Sequence, residues 1–181
     1  MAVVDRLRIA FIMDGELEYA ISNIGRGWVG ILGSSHGLLR TTLPQGSAQE
    51  AEKLLGGRVK EATWSDDFFA DLLQRLRSYF GGHQVAFPDE LDLSSATAFQ
   101  REVWQLTRLI PYGETRSYAW VAEHLGKAGA MRAVGQALAR NPMPIIVPCH
   151  RVVAKDGRLG GYSGGVEKKD YLLQLEASAN I

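Results

Sequence analysis

A chain of 181 residues, 46% hydrophobic, with 20 basic side chains set against 20 acidic ones, is long enough for one good core or two small ones, domains commonly running to about 100–150 residues. A single cysteine excludes an intramolecular disulfide and any multi-cysteine zinc site, and points to a reduced, cytoplasmic setting. No apolar run approaches the roughly 20 residues a bilayer needs, and Asp5, Arg6, Arg8 and Asp14 interrupt the N-terminus where a signal peptide would be apolar.

In chain order, "RLRIAFI", "LEYAIS", "GWVGILG" and "GLLRTTL" are short β-branched or apolar runs separated by Gly, Asn and Ser, the pattern of an antiparallel meander. "SAQEAEKLLGG" offers a capping box, Ser47 with Glu50, and a double-glycine stop, which predicts a short helix. "SDDFFADLLQRLRSYFGG" sets Phe69, Leu72, Leu73, Leu76 and Phe80 at helical spacing, a second helix expected to cover the meander. "GGHQVAFPDELDLSS" has no periodicity and reads as a linker, giving one domain over residues 1–93 and another over 94–181. The first carries 9 basic and 13 acidic side chains and the second 11 and 7, so the second half is the candidate for meeting a polyanion.

That half opens with another capping box, Thr97 and Gln100, and a helix presenting Phe99, Val103, Leu106 and Ile110 on one face until Pro111 and Gly113 stop it. Two short helices follow, Tyr118 to Leu125 ended by Gly126, and "AMRAVGQALAR". The pair is either a DNA-reading helix-turn-helix or an ordinary αα-hairpin. Ala130, Ala133, Gly135, Ala137 and Ala139 leave the second helix almost bare, so it can press against a neighbouring helix or into a narrow DNA groove.

The cysteine stands in "PIIVPCHRVV". Pro142, Pro144 and Pro148 remove donors and favour extended backbone, so Cys149 is expected in a rigid, non-helical segment. A thiol needs its pKa, ordinarily about 8.5, brought down to act as a nucleophile at neutral pH. His150 is the candidate base, reaching Cys149 through a bend or a bridging water because neighbours on an extended chain point to opposite faces. A third group should orient the histidine, and in the last helix Val166, Lys169, Leu173 and Glu176 share a face, which makes Glu176 the candidate. A papain-like hydrolase would draw its catalytic groups from distant segments and need no helix pair. A pure helix-turn-helix regulator would need no thiol, and the glycine-rich "GGYSGG" lacks the Gly-Lys-Ser/Thr of a phosphate loop.

Together "FQREVWQLTRLIPYGETRSYAWVAEHLG", "RAVGQALARNPMPIIVPCHRVV" and "GGYSGG" followed by Lys169, Leu172, Leu173 and Glu176 strongly resemble the O6-alkylguanine-DNA alkyltransferases, also called methylated-DNA–protein-cysteine methyltransferases. The likeness covers residues 97–176; the first half is similar only in its strand-then-helix layout. The resemblance implies an α+β protein: a ribonuclease-H-like N-terminal domain, here without the cysteines of the zinc site some members carry, and a mostly helical C-terminal domain with a helix-turn-helix and a Pro-Cys-His-Arg segment. It implies direct-reversal repair without a cofactor or metal, in which Cys149 takes the alkyl group once and irreversibly from O6-alkylguanine flipped out of duplex DNA. O4-alkylthymine as a further substrate and cooperative binding on DNA stay open, as does a non-catalytic DNA-binding protein of the same fold; the expected state is a monomer. Residue by residue, His150 would be the base acting through a water, Glu176 its partner, Asn141 the tie between the Asn-Pro turn and the active-site segment, and Tyr118 a proton donor to the base. Ser163, next to Tyr162, would hydrogen-bond O6, and Arg132 would enter the duplex where guanine has left. Ser117, Ala133, Gly135, Tyr162 and Arg151 would complete the DNA-facing surface.

Overall fold

The computed structural model describes residues 15–178, so the strand expected over "RLRIAFI" lies outside the described residues. β1 (Glu18–Asn23), β2 (Trp28–Ser34) and β3 (Gly37–Thr41) form the antiparallel meander that their β-branched and apolar runs predict. A short β4 (Thr63–Trp64) adds to β1 in parallel, giving the order β3-β2-β1-β4. Alternation along the strands loads both faces. Ala20, Val29 and Ile31 point into the main core, whereas Ile21 and Leu32 face a smaller one with Leu17.

That smaller face is closed by α1 (Ala48–Leu55). Ser47 Oγ accepts from the Glu50 amide at 3.2 Å, but the Glu50 carboxylate reaches back to the amide of Gly46 rather than Ser47, so half of the expected capping box forms. Ala51 and Leu55 are its buried residues, and it sits close because β2 carries Gly30 beneath it: a Cβ there would lie 3.0 Å from the Ala51 carbonyl oxygen and from Leu55. The other face is covered by α2 (Ala70–Phe80), which buries Leu72, Leu73, Leu76, Tyr79 and Phe80.

The aperiodic stretch after α2 is pinned at several points. Leu38 in β3 donates to Glu90 O and accepts from the Asp92 amide, both at 2.8 Å. Arg75 holds Asp89 at 2.6 Å, and Arg108 donates to the carbonyls of Phe87 and Asp89. Beyond it, α3 (Ala98–Arg108) begins on a complete Thr97–Gln100 capping box. Trp104 of α3 donates from Nε1 to Ala137 O at 2.9 Å in α5 (Met131–Ala139), and α4 (Tyr118–His124) packs beside α5 after a turn through Gly126. Two short strands, β5 (Arg116–Ser117) and β6 (Val152–Val153), pair in parallel and join α4 to the cysteine segment.

The last helix, α6 (Val166–Ser178), buries Lys169, Leu172 and Glu176. Spacing predicts Val166 and Leu173 on that face; instead Val166 is half exposed and Leu172 takes the inward position. The stripe is set by one i, i+3 step followed by one i+4 step through Leu172. The largest core cluster runs from Ala20 in the sheet through α2 and α3 to Cys149 and Leu172. Among the described residues no helix is long and apolar enough to cross a membrane.

The close approach of α1 to β2 makes a direct prediction. Gly30→Ala should lower stability by about 1–3 kcal/mol through overpacking, read from the urea midpoint, while Gly57→Ala, with nothing within 4 Å of the new Cβ, should stay within about 0.5 kcal/mol.

Candidate active site

The segment carrying the thiol is fixed from both ends. Asn141 donates from Nδ2 to Val147 O at 2.9 Å and to Cys149 Sγ at 3.1 Å, while its Oδ1 accepts from the Met143 amide at 2.9 Å. The edge of β3 holds the same run, Thr41 donating to the carbonyls of Pro142 and Pro144. Ile145 adopts φ 75°, a left-handed backbone that a β-branched residue takes only when its surroundings impose it.

The approach is not extended as expected but a tight turn, Val147 donating to Met143 O at 2.9 Å, and Cys149–Arg151 is one turn of 3-10 helix, which corrects the expectation of a non-helical segment. Three residues per turn send consecutive side chains in three directions. Cys149 thus faces Asn141 while His150 and Arg151 both reach Glu176, one turn doing what an extended chain could not.

Glu176 is the hub. Its Oε1 accepts from Tyr79 Oη at 2.6 Å, from His150 Nε2 at 2.7 Å and from Arg151 Nη2 at 2.9 Å; Oε2 accepts from Arg151 Nε at 2.9 Å and from the Gly113 amide at 3.0 Å. Burial alone would raise this carboxyl, but hydrogen bonds and charge from His150 and Arg151 hold it well below the usual carboxylate range. Burial pushes His150 down in spite of the carboxylate, so the imidazole is neutral at neutral pH. A carboxylate only accepts, so the proton sits on Nε2 and the lone pair on Nδ1. Nδ1 is buried with no hydrogen-bond partner among the described residues. Arg151, assigned to the DNA-facing surface from sequence, is instead buried and turned inward, its Nη1 donating to Ile110 O at 2.7 Å.

Cys149 is 5% exposed. Burial pushes the thiol up, with Asn141, Tyr162 and the Lys169 charge acting against it, so the expected lowering of its pKa is not met at rest. Tyr118 and Tyr162 flank it, both phenols raised by burial first and by a Cys149 charge next. Lys169 is fully buried and donates to Val152 O at 2.6 Å and to Tyr118 Oη at 3.4 Å; burial lowers its ammonium to about 8. Sequence placed Lys169 on the inward face without a chemical role, and Tyr79 carried no signal at all.

Tyr118 and Tyr162 also line a groove of about 730 Å³, together with Arg132, Gly135 and Ser163, so it brings together most of the DNA-facing set; Cys149 itself does not line it. Gly160, at φ 68°, lets the glycine loop close over it: a Cβ there would sit 2.9 Å from Tyr118 Oη. Ser117 and Ala133 do not line it; Ser117 Oγ caps α4 by accepting from the Trp120 amide at 3.0 Å, and Ala133 is exposed. Among the described residues no group of three or more His, Cys, Asp or Glu side chains is placed to hold a metal ion.

Comparison with known proteins matches residues 98–178 to the family of the 6-O-methylguanine DNA methyltransferase DNA-binding domain. A methylated-DNA–protein-cysteine methyltransferase of Mycobacterium leprae is 54% identical over 108 residues, 60% of this chain and 65% of that protein, just under two thirds of its length. Its counterpart in Mycobacterium tuberculosis H37Rv is 49% identical over 117 residues, 64% of this chain and 70% of the relative. The crystal structure of M. tuberculosis OGT in complex with DNA superposes with a TM-score of 0.73 at 39% identity, over 90% of this chain and 94% of that one.

The hub fixes how stability depends on acid. Folded His150 binds its proton more weakly than the ordinary value of 6.5, so stability falls as pH drops below about 6.5. Folded Glu176 titrates below the ordinary 4.5, so a second loss begins under about 4.5. Urea midpoints across pH should show both stages. Glu176→Gln should shrink the lower one, leaving the smaller share of Asp92, which the Ser94 hydrogen bonds also hold down, and cost about 3–5 kcal/mol by leaving Arg151 buried without its carboxylate, with part recovered on adding Arg151→Met.

Proposed function

The chain belongs to the 6-O-methylguanine DNA methyltransferase family, and from that premise we propose that it repairs O6-alkylguanine in duplex DNA by moving the alkyl group onto Cys149. One observation carries the reading: a buried thiol tied to Asn141, with a neutral, Glu176-oriented histidine as its sequence neighbour, flanked by Tyr118 and Tyr162, which also line a groove presenting Ser163 and Arg132. Such a groove suits a base rotated out of the stack, since the lesion is unreachable inside a duplex.

The step balances without a cofactor. His150 Nδ1 takes the thiol proton through a bridging water, and the resulting imidazolium is stabilised by the Glu176 carboxylate. The thiolate attacks the alkyl carbon; an S–C bond forms, the C–O6 bond breaks, and its electron pair stays on guanine. Tyr118 protonates the guanine anion and draws a replacement proton from Lys169, while Ser163 hydrogen-bonds O6. The thioether has no route back, so each molecule acts once. Arg132 enters the duplex behind the flipped base, with α4 and α5 serving as a helix-turn-helix in the minor groove. A chemistry built on a free thiol fits the reduced cytoplasm. A non-catalytic binder of the same fold would have no use for the Asn141–Cys149 and His150–Glu176 pairs.

Intact-mass analysis after mixing with an O6-methylguanine duplex should add one methyl, at Cys149, in stoichiometric yield, and Cys149→Ser should lose transfer while keeping salt-sensitive DNA binding. Multiple turnovers, or label on another residue, would sink the mechanism. The acceptor lies within the core cluster, so added carbon overpacks it at a typical cost of about 1–3 kcal/mol. Thermal scans should show the methylated protein melting several degrees below the unreacted form and the benzylated protein lower still.

A further inference from the structure

Six large apolar side chains are exposed among the described residues, and only one of them, Met131 at 48% exposure, lines the groove formed with Tyr118 and Tyr162, the two phenols that flank Cys149. It is the first residue of α5 and directly precedes Arg132. Side chains on a helix lean toward its N-terminus, so both project from the end of α5, whereas the rest of its groove-facing strip is Gly135, Gln136 and Ala139. Met131 is absent from the hydrophobic core clusters. A long thioether left outside the core at the mouth of a site for a flipped base has a use that Ala or Gly lacks.

We propose that Met131 is an apolar wedge that enters the duplex beside Arg132 and props open the base step into which the flipped nucleotide would restack. The inference rests on reading the groove as the DNA-facing site. Minor-groove proteins commonly insert Met, Leu, Ile or Phe between base pairs, offsetting unstacking with apolar contact, and an unbranched, polarisable side chain fits an irregular gap between base faces. The two residues divide the work. The Arg132 cation fills the vacated place and meets polar base edges, while Met131 covers apolar base surface that would otherwise face water. Met131 therefore acts on base flipping and not on alkyl transfer.

The test is single-turnover transfer from an O6-methylguanine duplex and from free O6-benzylguanine, which needs no flipping, with wild type, Met131→Ala, Met131→Leu and Met131→Gln, and Arg132→Ala as reference. The ratio of duplex to free-base rate should fall about fivefold or more in Met131→Ala and Met131→Gln and recover to within about twofold in Met131→Leu. A duplex carrying 2-aminopurine next to the lesion should show a smaller fluorescence rise with Met131→Ala than with wild type, because less stacking is broken. An unchanged ratio in Met131→Ala, or recovery by Gln as complete as by Leu, would overturn the wedge alone. A wild-type protein that takes no methyl from the duplex would overturn the proposed function and this inference with it.

Discussion

Burying the Glu176 carboxylate is the constraint on which the rest of the molecule turns. An isolated ionised carboxylate in a protein interior costs several kcal/mol, and this one is tolerable because five donors converge on it: Tyr79, His150, two nitrogens of Arg151 and the Gly113 amide. They come from α2, from the 3-10 turn and from the loop after α3, so the charge is satisfied only when those pieces and α6 are all in register. The same bonds that make the burial tolerable set the imidazole tautomer. Folding and the fixing of the His150 tautomer are thus one event.

The resting site is quiet for the same reason. With the thiol raised by burial and the imidazole neutral, little thiolate exists without substrate, and stray electrophiles meet a protonated sulfur behind two phenols. Lys169 complements this: its ammonium, brought to about 8 and hydrogen-bonded to Tyr118, is on the proposed mechanism the reserve that reprotonates that phenol.

Elements fixed by local physics were legible in sequence. The Thr97–Gln100 box, the glycine stops, the meander and the bare α5 each depend on residues a few positions apart, and the pairs Asn141–Cys149 and His150–Glu176 are in contact. What stayed hidden depends on separation. Tyr79 meets Glu176 across 97 residues, and no periodicity in α2 distinguishes a phenol that bonds a carboxylate from one that fills a core. Arg151 looks like a DNA contact in any list of basic residues, and its inward turn follows from the 3-10 geometry that the prolines did not announce. Leu172 displaced Leu173 from the buried stripe because both spacings are helical and only the partner surface chooses between them.

Tyr79 also bears on how such a protein can be inherited. The family match spans 98–178, a stretch that suggests a portable module to which different first halves could be attached. Yet the carboxylate that orients His150 takes a 2.6 Å hydrogen bond from the first half, so that half helps to build the proposed site and does not only support it. A chimera that joined these 81 residues to an unrelated leading segment would need a phenol delivered to the same place, or a compensating donor evolved elsewhere. Recombination at the linker is therefore penalised, and substitution within each half, in step with the other, is the easier path for divergence.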